Sequence, residues 1–423
     1  MRVLVINSGS SSVKFSIFEV GRGIGTGEPQ GLFDGELGGI GGAGALLRVG
    51  DGQKKAVEAG TLGAAIALVF DAVSVAGVEA VGYRVVHPGA KLNEHARITE
   101  EVLRDLEEAV VFAPLHDPAV IEVIREGMRR FPAVAHYACF DTVFHGTMPE
   151  EATTYPIPKE YRDRGVRRYG FHGLSCESIV RQLRAAEGGV PRRMVIAHLG
   201  SGCSVTALVE GRSVDTTMGL TPTGGVVMGT RPGDLDPGLV VYLLREQGGA
   251  RAGASANTGV LHSVQDDDGV GGGKDDGEGL VAMLETMLNR ASGMVALTGM
   301  ANDMKAVREA AGNGNEAAVL GLKVFTRSVR KAIGGFSWLL GGLDAVVFAG
   351  GIGEHDGTMR AEVLAGLEGL GVEINSSLNE SRTEGMRRIE ASHSETAVFV
   401  IPAEEDLMIA VHVARMAGAQ AGA

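Results

Sequence analysis

The chain has 423 residues, of which 44% are hydrophobic and 22% are charged, and its formal net charge is −13. The length predicts two domains, and the acidic balance disfavours nucleic-acid partners, because neutralising phosphate requires excess Lys and Arg. No apolar run is long enough for a transmembrane helix, and residues 2–6 are too short for a signal-peptide core. The three cysteines form no C-x-x-C pair. We therefore expect a cytoplasmic protein with no disulfide framework and no membrane partner.

Two segments share a strand–turn–strand pattern. Residues 2–19 comprise an apolar run, a turn rich in Ser and Gly, and an alternating strand, and residues 194–209 repeat this plan. Ser12 aligns with Ser204 without a gap across both segments. The repetition predicts a duplicated domain, although any two β-hairpins resemble each other and that alternative stays open.

The remaining pattern alternates helices with strands. Apolar spacing of three to four residues predicts helices at 100–111, 118–130, 175–186, 316–340 and 404–416. Buried-strand patterns occur at 80–86, 133–140, 345–349 and 398–401. This alternation indicates the α/β class. Residues 248–279, rich in Gly and Asp, predict a loop insertion.

Three turns are candidates for phosphate binding. They are the two hairpin turns and residues 350–354, which follow a buried strand where α/β folds bind ligands. Small residues let backbone N–H groups approach phosphate oxygens, but ordinary turn chemistry would explain either hairpin alone. The G-x-G-x-x-G sequence at 39–44 follows no clear strand, so we do not expect it to bind a dinucleotide.

Five charged or titratable residues have distinctive contexts. Arg84 lies in an apolar strand and Arg231 in a loop bounded by Gly and Pro, so either could bind a carboxylate or phosphate, or form a structural salt bridge. Asp141 follows a predicted strand, where it could face Mg²⁺ or cap a helix. His116 and His172 lie beside small or turn-forming residues.

The chain resembles the acetate kinase family, part of the actin/hexokinase/Hsp70-like superfamily, in nine stretches that occur in order: VLVINSGSSSVKFSIFE, GYRVVHPG, PLHDP, FDTVFHGTMP, RRYGFHGLS, AHLGSGCS, DTTMGLTPTGGVVMGTRPGDLDP, FAGGIGEHDG and IPAEEDLMIA. The resemblance implies an α/β fold with two duplicated actin/hexokinase-like (ribonuclease H-like) domains and an active-site cleft between them. It implies that residues 1–145 plus 402–423 form one domain. Residues 146–401 form the other, with the insertion near 248–279.

The resemblance also implies an activity, ligands and site residues. The activity is Mg²⁺- or Mn²⁺-dependent, reversible transfer of the ATP γ-phosphoryl to acetate, in a homodimer. Catalytic roles are implied for Arg84, Asp141, His172, Arg231 and His116. The acyl pocket would contain Val86, Leu115, Phe171 and Pro222, beside Arg84. Nucleotide contacts are implied for Asn7, Ser12, Lys14, His198, Gly200, Ser201, Gly202, Asp303, Met304, Lys305, Gly350, Gly351, Ile352 and Gly353. The metal ion would be bound by Asn7, Asp141 and Glu405.

The chain departs from the family pattern at four places. Ser201 stands where the family usually has Asn, Lys305 replaces an Arg, residues 403–406 replace a Thr-Asn/Asp-Glu-Glu sequence, and the insertion is longer. Ser offers a shorter donor than Asn, so the sequence favours Ser201→Asn as a change that improves ATP use. A phosphoryl donor other than ATP is the alternative.

Two further functions stay open at this stage. A propionate or butyrate kinase differs only in pocket volume, and one methylene is worth just ~1–3 kcal/mol. An actin- or Hsp70-like nucleotide switch would need the phosphate hairpins. It would not need two arginines beside an acyl pocket.

Overall fold

The computed structural model describes residues 1–9, 12–21, 29–41, 44–73, 77–113, 117–252 and 276–420, and these residues contain two mixed sheets. Eight strands form the first sheet: β1 (Arg2–Ser8), β2 (Ser12–Glu19), β3 (Gln30–Gly38), β4 (Ala45–Val49), β5 (Lys55–Val57), β6 (Ala80–Val85), β7 (Ala96–Arg97) and β8 (Ala135–Phe140). Six form the second: β9 (Arg193–Leu199), β10 (Cys203–Val209), β11 (Arg212–Thr216), β12 (Ala345–Ala349), β13 (Arg387–Arg388) and β14 (Ala397–Val400).

The two sheets share one topology. The first contains the strand order β3-β2-β1-β6-β8, and the second contains β11-β10-β9-β12-β14. In each set three antiparallel strands are followed by two strands parallel to the first. Each parallel neighbour needs a crossover connection, so two unrelated hairpins would not reproduce this order. The α/β class and the duplication predicted from the sequence are therefore confirmed.

The two hairpin turns differ in length. The pairing of β1 with β2 ends at Ser8 opposite Val13, whereas that of β9 with β10 ends at Leu199 opposite Cys203. Four residues separate the first pair and three separate the second. The gapless alignment predicted for the two hairpins is therefore off by one residue.

Helices flank both sheets. The described residues form these α-helices: α1 (Leu62–Ala72), α2 (Glu100–Ala109), α3 (Asp117–Arg130), α4 (Glu150–Thr153), α5 (Lys159–Arg162), α6 (Gly173–Glu187), α7 (Pro237–Ala252), α8 (Asp276–Arg290), α9 (Gly293–Thr298), α10 (Met304–Gly312), α11 (Glu316–Leu339), α12 (Gly350–His355), α13 (Gly357–Leu364), α14 (Ser376–Glu380) and α15 (Glu405–Gln420). Short 3₁₀ helices occur at Val110–Phe112, Val143–Thr147 and Glu368–Leu370.

Two helices connect the sheets. The buried face of α15 packs on the first sheet, where Ile409 and Val413 belong to one apolar cluster with Val5 and Tyr137. Helix α6 covers the second sheet, in the apolar cluster that contains Ile196, and it also contacts α15. These apolar faces are buried away from water, the main favourable contribution to the fold. The amino-terminal ends of α6 and α15 therefore come together between the sheets.

Two of the predicted loops contain helical residues. Residues 248–252 complete α7 and residues 276–279 begin α8, so the loop predicted for 248–279 is wrong at both ends, while residues 253–275 lie outside the described residues. Residues 350–354 form most of α12. In the ranges described, no helix is both long enough and apolar enough to cross a membrane. The three cysteines are buried, and none of them forms a disulfide.

Candidate active site

A cleft of about 670 Å³ lies between the two sheets. It contains many of the predicted site residues: Asn7, Lys14, Arg84, His172, His198, Gly200, Ser201, Gly202, Gly350, Gly351 and Glu405. Asn7, Arg84 and His198 lie at or near the carboxyl ends of β1, β6 and β9, and Gly350 follows β12. Ligands of α/β folds bind at such strand ends, which is where the sequence predicts the site.

Arg84 contacts three polar side chains in the cleft. Its Nε donates to Asp141 Oδ1 at 2.9 Å, its Nη2 donates to Asp141 Oδ2 at 2.5 Å, and its Nη1 lies 3.6 Å from Glu405 Oε2. A further bond joins Nη1 to Asn7 Oδ1 at 3.3 Å. Burial lowers the pKa of Arg84, but Asp141 and Glu405 outweigh burial and hold that pKa above its usual range. Arg84 is thus a fixed cation facing the cleft.

Asp141 does not cap a helix. The 3₁₀ helix that follows it has Thr142 at its N-cap position, without a side-chain cap bond. Both Asp141 oxygens instead accept from Arg84. Burial raises the pKa of Asp141, and Arg84 opposes that rise. The N-cap alternative is therefore wrong, and Asp141 belongs to the charge network of the cleft.

Two histidines stack in the cleft wall. The rings of His172 and His198 lie 4.2 Å apart, and His172 Nδ1 lies 2.9 Å from Ser204 Oγ. His172 has a φ of 59° just before α6, in the left-handed region that non-glycine residues rarely adopt. Burial and His198 lower the pKa of His172 well below 6.5, and burial lowers that of His198. Both rings are therefore neutral near pH 7.

A carboxylate pair lies opposite, at the start of α15. Asn7 Nδ2 donates to Asp406 Oδ1 at 2.9 Å and to Glu405 Oε2 at 3.2 Å. Ser16 Oγ donates to Asp406 Oδ2 at 2.9 Å, and Ser175 Oγ donates to Glu405 Oε1 at 2.5 Å. Burial raises the pKa of Glu405, but the positive charge of Arg84 opposes it and the net shift is downward. Burial raises the pKa of Asp406.

The donor set of the cleft fits a magnesium ion. Among the residues that the structure describes, no three carboxylates of the cleft bring oxygens within 4.8 Å of one another. Mg²⁺ is usually held by one or two protein carboxylates together with water and substrate phosphates. Glu405 and Asp406 line the cleft and could provide them, whereas Asp141 is buried and is not among the lining residues.

The second hairpin turn approaches both His172 and Arg231. A Cβ atom on Gly202 would lie 3.4 Å from His172 Nε2 and 3.6 Å from Arg231 Nη1. Arg231 Nη1 donates to the Pro222 carbonyl at 2.8 Å. Burial lowers the pKa of Arg231, and so does the positive charge of Arg84. Arg231 is thus near the cleft wall, although it is not among the lining residues.

The structure does not bring all the residues predicted for the acyl pocket into one cavity. Half-buried Val86 packs against the apolar cluster that contains buried Phe171. Pro222 lines a separate cavity of about 300 Å³ with Phe112 and Leu244. Leu115 and His116 lie outside the described residues.

Six predicted nucleotide residues lie beyond the cleft lining. Asp303 caps α10 by accepting from the backbone N–H groups of residues 305 and 306, and Met304 packs against the core of the second sheet. Lys305 lines a cavity of about 930 Å³ that also contains Glu354, a residue of the cleft wall. Ile352 packs on the same core, while the Gly353 carbonyl accepts from Arg360. Ser12 begins β2 beside the first turn.

A sequence model of the acetokinase family matches residues 2–260 and 275–411. The chain belongs to this family. It is 40% identical over 422 residues to an acetate kinase of Pseudarthrobacter chlorophenolicus (99% of each chain) and 36% identical over 431 residues to one of Geobacillus kaustophilus (98% of this chain, 99% of the relative). Two solved structures each cover 97% of this chain and 98% of their own. They are an acetate kinase of Porphyromonas gingivalis (30% identity, TM-score 0.78) and a propionate kinase of Francisella tularensis (32%, 0.81).

Several polar residues of this acetokinase-family site were not predicted from the sequence. Ser16 and Asp406 line the cleft, Ser175 donates a hydrogen bond to Glu405, and Ser204 lies within hydrogen-bond distance of His172. Asp406 could have been found, because it follows Glu405 in a first helical turn. The serines give no signal of their own, since Ser is common on surfaces and in turns.

A second titratable cluster in this acetokinase-family chain is unsuited to a metal ion. His95, Glu177 and His412 bring ligand atoms within 4.8 Å of one another, and His412 Nε2 lies 2.7 Å from Glu177 Oε2. The Phe140 N–H, however, donates to His95 Nδ1 at 3.0 Å. Burial and His412 lower the pKa of His95 to about 2, so the neutral ring carries its proton on Nε2. Neither nitrogen of His95 is then free to bind a metal.

Proposed function

We propose that the chain is an acetate kinase that transfers the γ-phosphoryl of ATP reversibly to acetate, giving acetyl phosphate and ADP. One observation carries this proposal beyond family membership. Arg84, neutral His172 and the small-residue turn at Gly202 face one cleft, beside the carboxylates of Glu405 and Asp406. This combination suits a reaction between two anions better than one that begins with a neutral hydroxyl.

The acceptor needs no general base. A short carboxylate has a pKa near ~4–5 and is ionised at pH 7, so its oxygen can attack the γ-phosphorus directly. As that bond forms, the bond from the γ-phosphorus to the β-phosphate oxygen breaks and ADP leaves. The difficulty is electrostatic, because the attacking oxygen and the phosphoryl group are both negative. Arg84 offsets this repulsion, and nearby Arg231 adds a second positive charge.

His172 suits a role as a neutral donor. Its Nδ1 is engaged with Ser204, and its Nε2 faces the turn at Gly202. With the proton on Nε2, the ring can donate to an oxygen of the transferring phosphoryl group without bringing a positive charge that Arg84 would oppose. Preorganised donors of this kind stabilise phosphoryl transfer by position and electrostatics.

The metal site is part of the proposal. Asn7, Asp141 and Glu405 are the residues that the resemblance assigns to Mg²⁺ or Mn²⁺, and Asp406 joins them on geometry. Such an ion, when bound with ATP, neutralises phosphate charge. The chain's own contribution is to hold the carboxylates by Asn7, Ser16 and Ser175.

The adenosine end of the site extends from the cleft toward Lys305. Gly350 has a φ of 74°, and a Cβ atom there would lie 2.7 Å from the Leu199 carbonyl, so only glycine fits between the strand end and the second turn. We assign Gly350, Gly351, Ile352 and Gly353, with Asp303, Met304 and Lys305, to nucleotide binding. Glu354 joins this region to the cleft.

Domain limits, assembly and location stay predictions. We propose domains at 1–145 plus 402–423 and at 146–401, supported by the packing of α15 on the first sheet. A homodimer is expected from the resemblance to the family, and a cytoplasmic location is expected from the sequence. Acetate is proposed over propionate and butyrate because the relatives are named acetate kinases, while the likeness to both an acetate and a propionate kinase leaves the choice to experiment.

The test is hydroxylamine trapping of acyl phosphate. Purified protein is assayed with MgATP and each of formate, acetate, propionate and butyrate. We expect acyl hydroxamate with the highest kcat/KM for acetate. A higher value for propionate or butyrate would reassign the acceptor. ATP hydrolysis with no hydroxamate from any acid would favour a nucleotide switch, and activity only with pyrophosphate would reassign the donor.

A further inference from the structure

Asn302 touches the second phosphate turn from outside the predicted site. Its Nδ2 donates to Ser201 Oγ at 2.9 Å, and Ser201 lines the cleft. A Cβ atom on Gly229 would lie 2.1 Å from Asn302 Oδ1, so the amide rests directly on the Gly229 backbone. The Gly229 N–H in turn donates to the Ser201 carbonyl at 3.1 Å. Asn302 therefore links the turn to the loop that carries Arg231.

We propose that Asn302 is a positioning residue for the nucleotide phosphates, acting through the Ser201 hydroxyl. This inference rests on the proposed function, because it assumes that phosphate binds at the second turn. An amide N–H pointing at Ser201 Oγ occupies one of the oxygen's lone pairs. The hydroxyl proton then points away from Asn302. Ser201 is thereby fixed as a donor, which a phosphate oxygen in the cleft requires.

The same contact explains how the chain accommodates Ser201. The family usually has Asn at this position, and Ser is too short to place an amide there. Asn302 brings an amide to within hydrogen-bond distance of the shorter side chain. Its Nδ2 carries two N–H groups, and Ser201 uses one of them. The pair supplies both a hydroxyl and an amide beside Gly202.

This arrangement reverses the expectation for one substitution. The sequence alone favours Ser201→Asn as an improvement. In the structure Asn302 Nδ2 lies within hydrogen-bond distance of Ser201 Oγ, so a longer amide side chain at position 201 would displace the Asn302 amide from this contact. We expect Ser201→Asn to lower kcat/KM for MgATP, and the exchange Ser201→Asn with Asn302→Ser to restore it.

The first experiment reverses the direction of the hydrogen bond with a side chain of the same size. In Asn302→Asp the carboxylate accepts from Ser201 and turns the hydroxyl proton away from the cleft. It also adds negative charge beside the turn. We expect kcat/KM for MgATP to fall about ten- to a hundredfold, the range for a lost bond to a charged group, with the acetate KM unchanged. The matched control is Asn313→Asp, at the exposed far end of α10, which should leave both constants unchanged.

A double-mutant cycle separates positioning from packing. If Asn302 acts through Ser201, Asn302→Ala lowers kcat/KM for MgATP in the wild-type background and has little further effect on Ser201→Ala. If Asn302 had only a structural role, Asn302→Ala would lower kcat/KM for MgATP by the same factor in both backgrounds and would lower Tm equally in both. That result, or an improved Ser201→Asn single variant, would overturn the proposal.

Calorimetry of ADP binding provides a readout that does not depend on turnover. The Kd for ADP should rise in Asn302→Asp and return to the wild-type value in the Ser201→Asn/Asn302→Ser exchange. A wild-type protein that binds ADP but forms no acyl hydroxamate would refute the proposed acceptor alone, and the ADP affinities of the variants would still decide the role of Asn302. Unchanged ADP affinity in Asn302→Asp, with active wild-type enzyme, would refute the Asn302 proposal alone.

Discussion

Arg84 and Asp141 form a two-point ion pair at the cleft, with Nε 2.9 Å from Oδ1 and Nη2 2.5 Å from Oδ2. The Asp141 side chain is 1% exposed and that of Arg84 is 17% exposed. Removing one partner of a buried pair leaves an uncompensated charge, which typically costs ~3–5 kcal/mol. The pair therefore fixes the direction of the guanidinium and depends on both members.

Asp141→Asn should lose most activity. The amide keeps the shape but withdraws the charge that orients Arg84, so we expect kcat/KM for acetate to fall at least about a hundredfold, with a moderate fall in Tm. The control is Asp344→Asn, which breaks the two-point pair with Arg193 just before β12. It should lower Tm and leave kcat/KM unchanged. Full turnover in Asp141→Asn would show that Arg84 needs no such partner.

Glu405→Gln tests the proposed metal site. Loss of one carboxylate should raise the Mg²⁺ concentration for half-maximal activity about tenfold or more. The affinity for Mn²⁺, measured by electron paramagnetic resonance with ADP present, should fall in parallel. Exposed Glu187→Gln, at the end of α6, is the control. If kcat falls while both metal titrations stay unchanged, Glu405 serves only to balance the charge of Arg84.

The sequence could predict those parts of the molecule that depend on patterns among neighbouring residues. Strand ends and hairpin turns follow from apolar runs and turn residues, so the sequence pattern alone could place Asn7, Arg84 and His198 in strands near their ends. Contacts between distant parts of the chain carry no such signal. Asn302 meets Ser201 over 101 residues, and Ser16 meets Asp406 over 390.

Strand β3 illustrates tertiary packing overriding composition. The sequence pattern predicts no clear strand before residues 39–44, and this prediction is wrong, because β3 (Gln30–Gly38) ends directly before them. A Cβ atom on Gly35 would lie 2.2 Å from the Phe15 ring, so glycine leaves room for that ring beneath the strand. Glycine disfavours a strand by its local propensity, but here the missing side chain of Gly35 allows β3 to pack on β2.

Val86→Ala should widen the acceptor range. Removing two methyl groups beside the cluster that contains Phe171 opens room for a longer acyl chain, and one methylene is worth ~1–3 kcal/mol. The ratio of kcat/KM for propionate to that for acetate should rise about tenfold. Val134→Ala, at a half-buried valine in the core of the first sheet, is the control. An equal ratio in wild type and Val86→Ala would remove Val86 from the acyl pocket.

Asp117 should make stability depend on pH. It begins α3 with its side chain buried, and within the described ranges neither carboxylate oxygen forms a hydrogen bond of good geometry. The His87 backbone opposes the effect of burial on the pKa of Asp117 only in part. Burial raises its pKa to about 8, whereas in the unfolded chain an Asp has a pKa near ~3.9. The folded state thus holds the proton more tightly. The bound proton therefore makes its whole contribution to the free energy of unfolding below about pH 4. This contribution decreases as the pH rises toward 8 and is absent above that pH.

Asp117→Asn removes this titration while keeping the shape of the side chain. The Tm of the variant minus that of the wild type should therefore grow between pH 5 and about 8 and level off above that, because the wild-type carboxyl group is then ionised in both states. Circular dichroism melts across this range measure the difference, with exposed Asp51→Asn as the control. A difference in Tm that is constant from pH 5 to 9 would mean that Asp117 ionises normally in the folded protein. It would also mean that the carboxylate has a compensating partner.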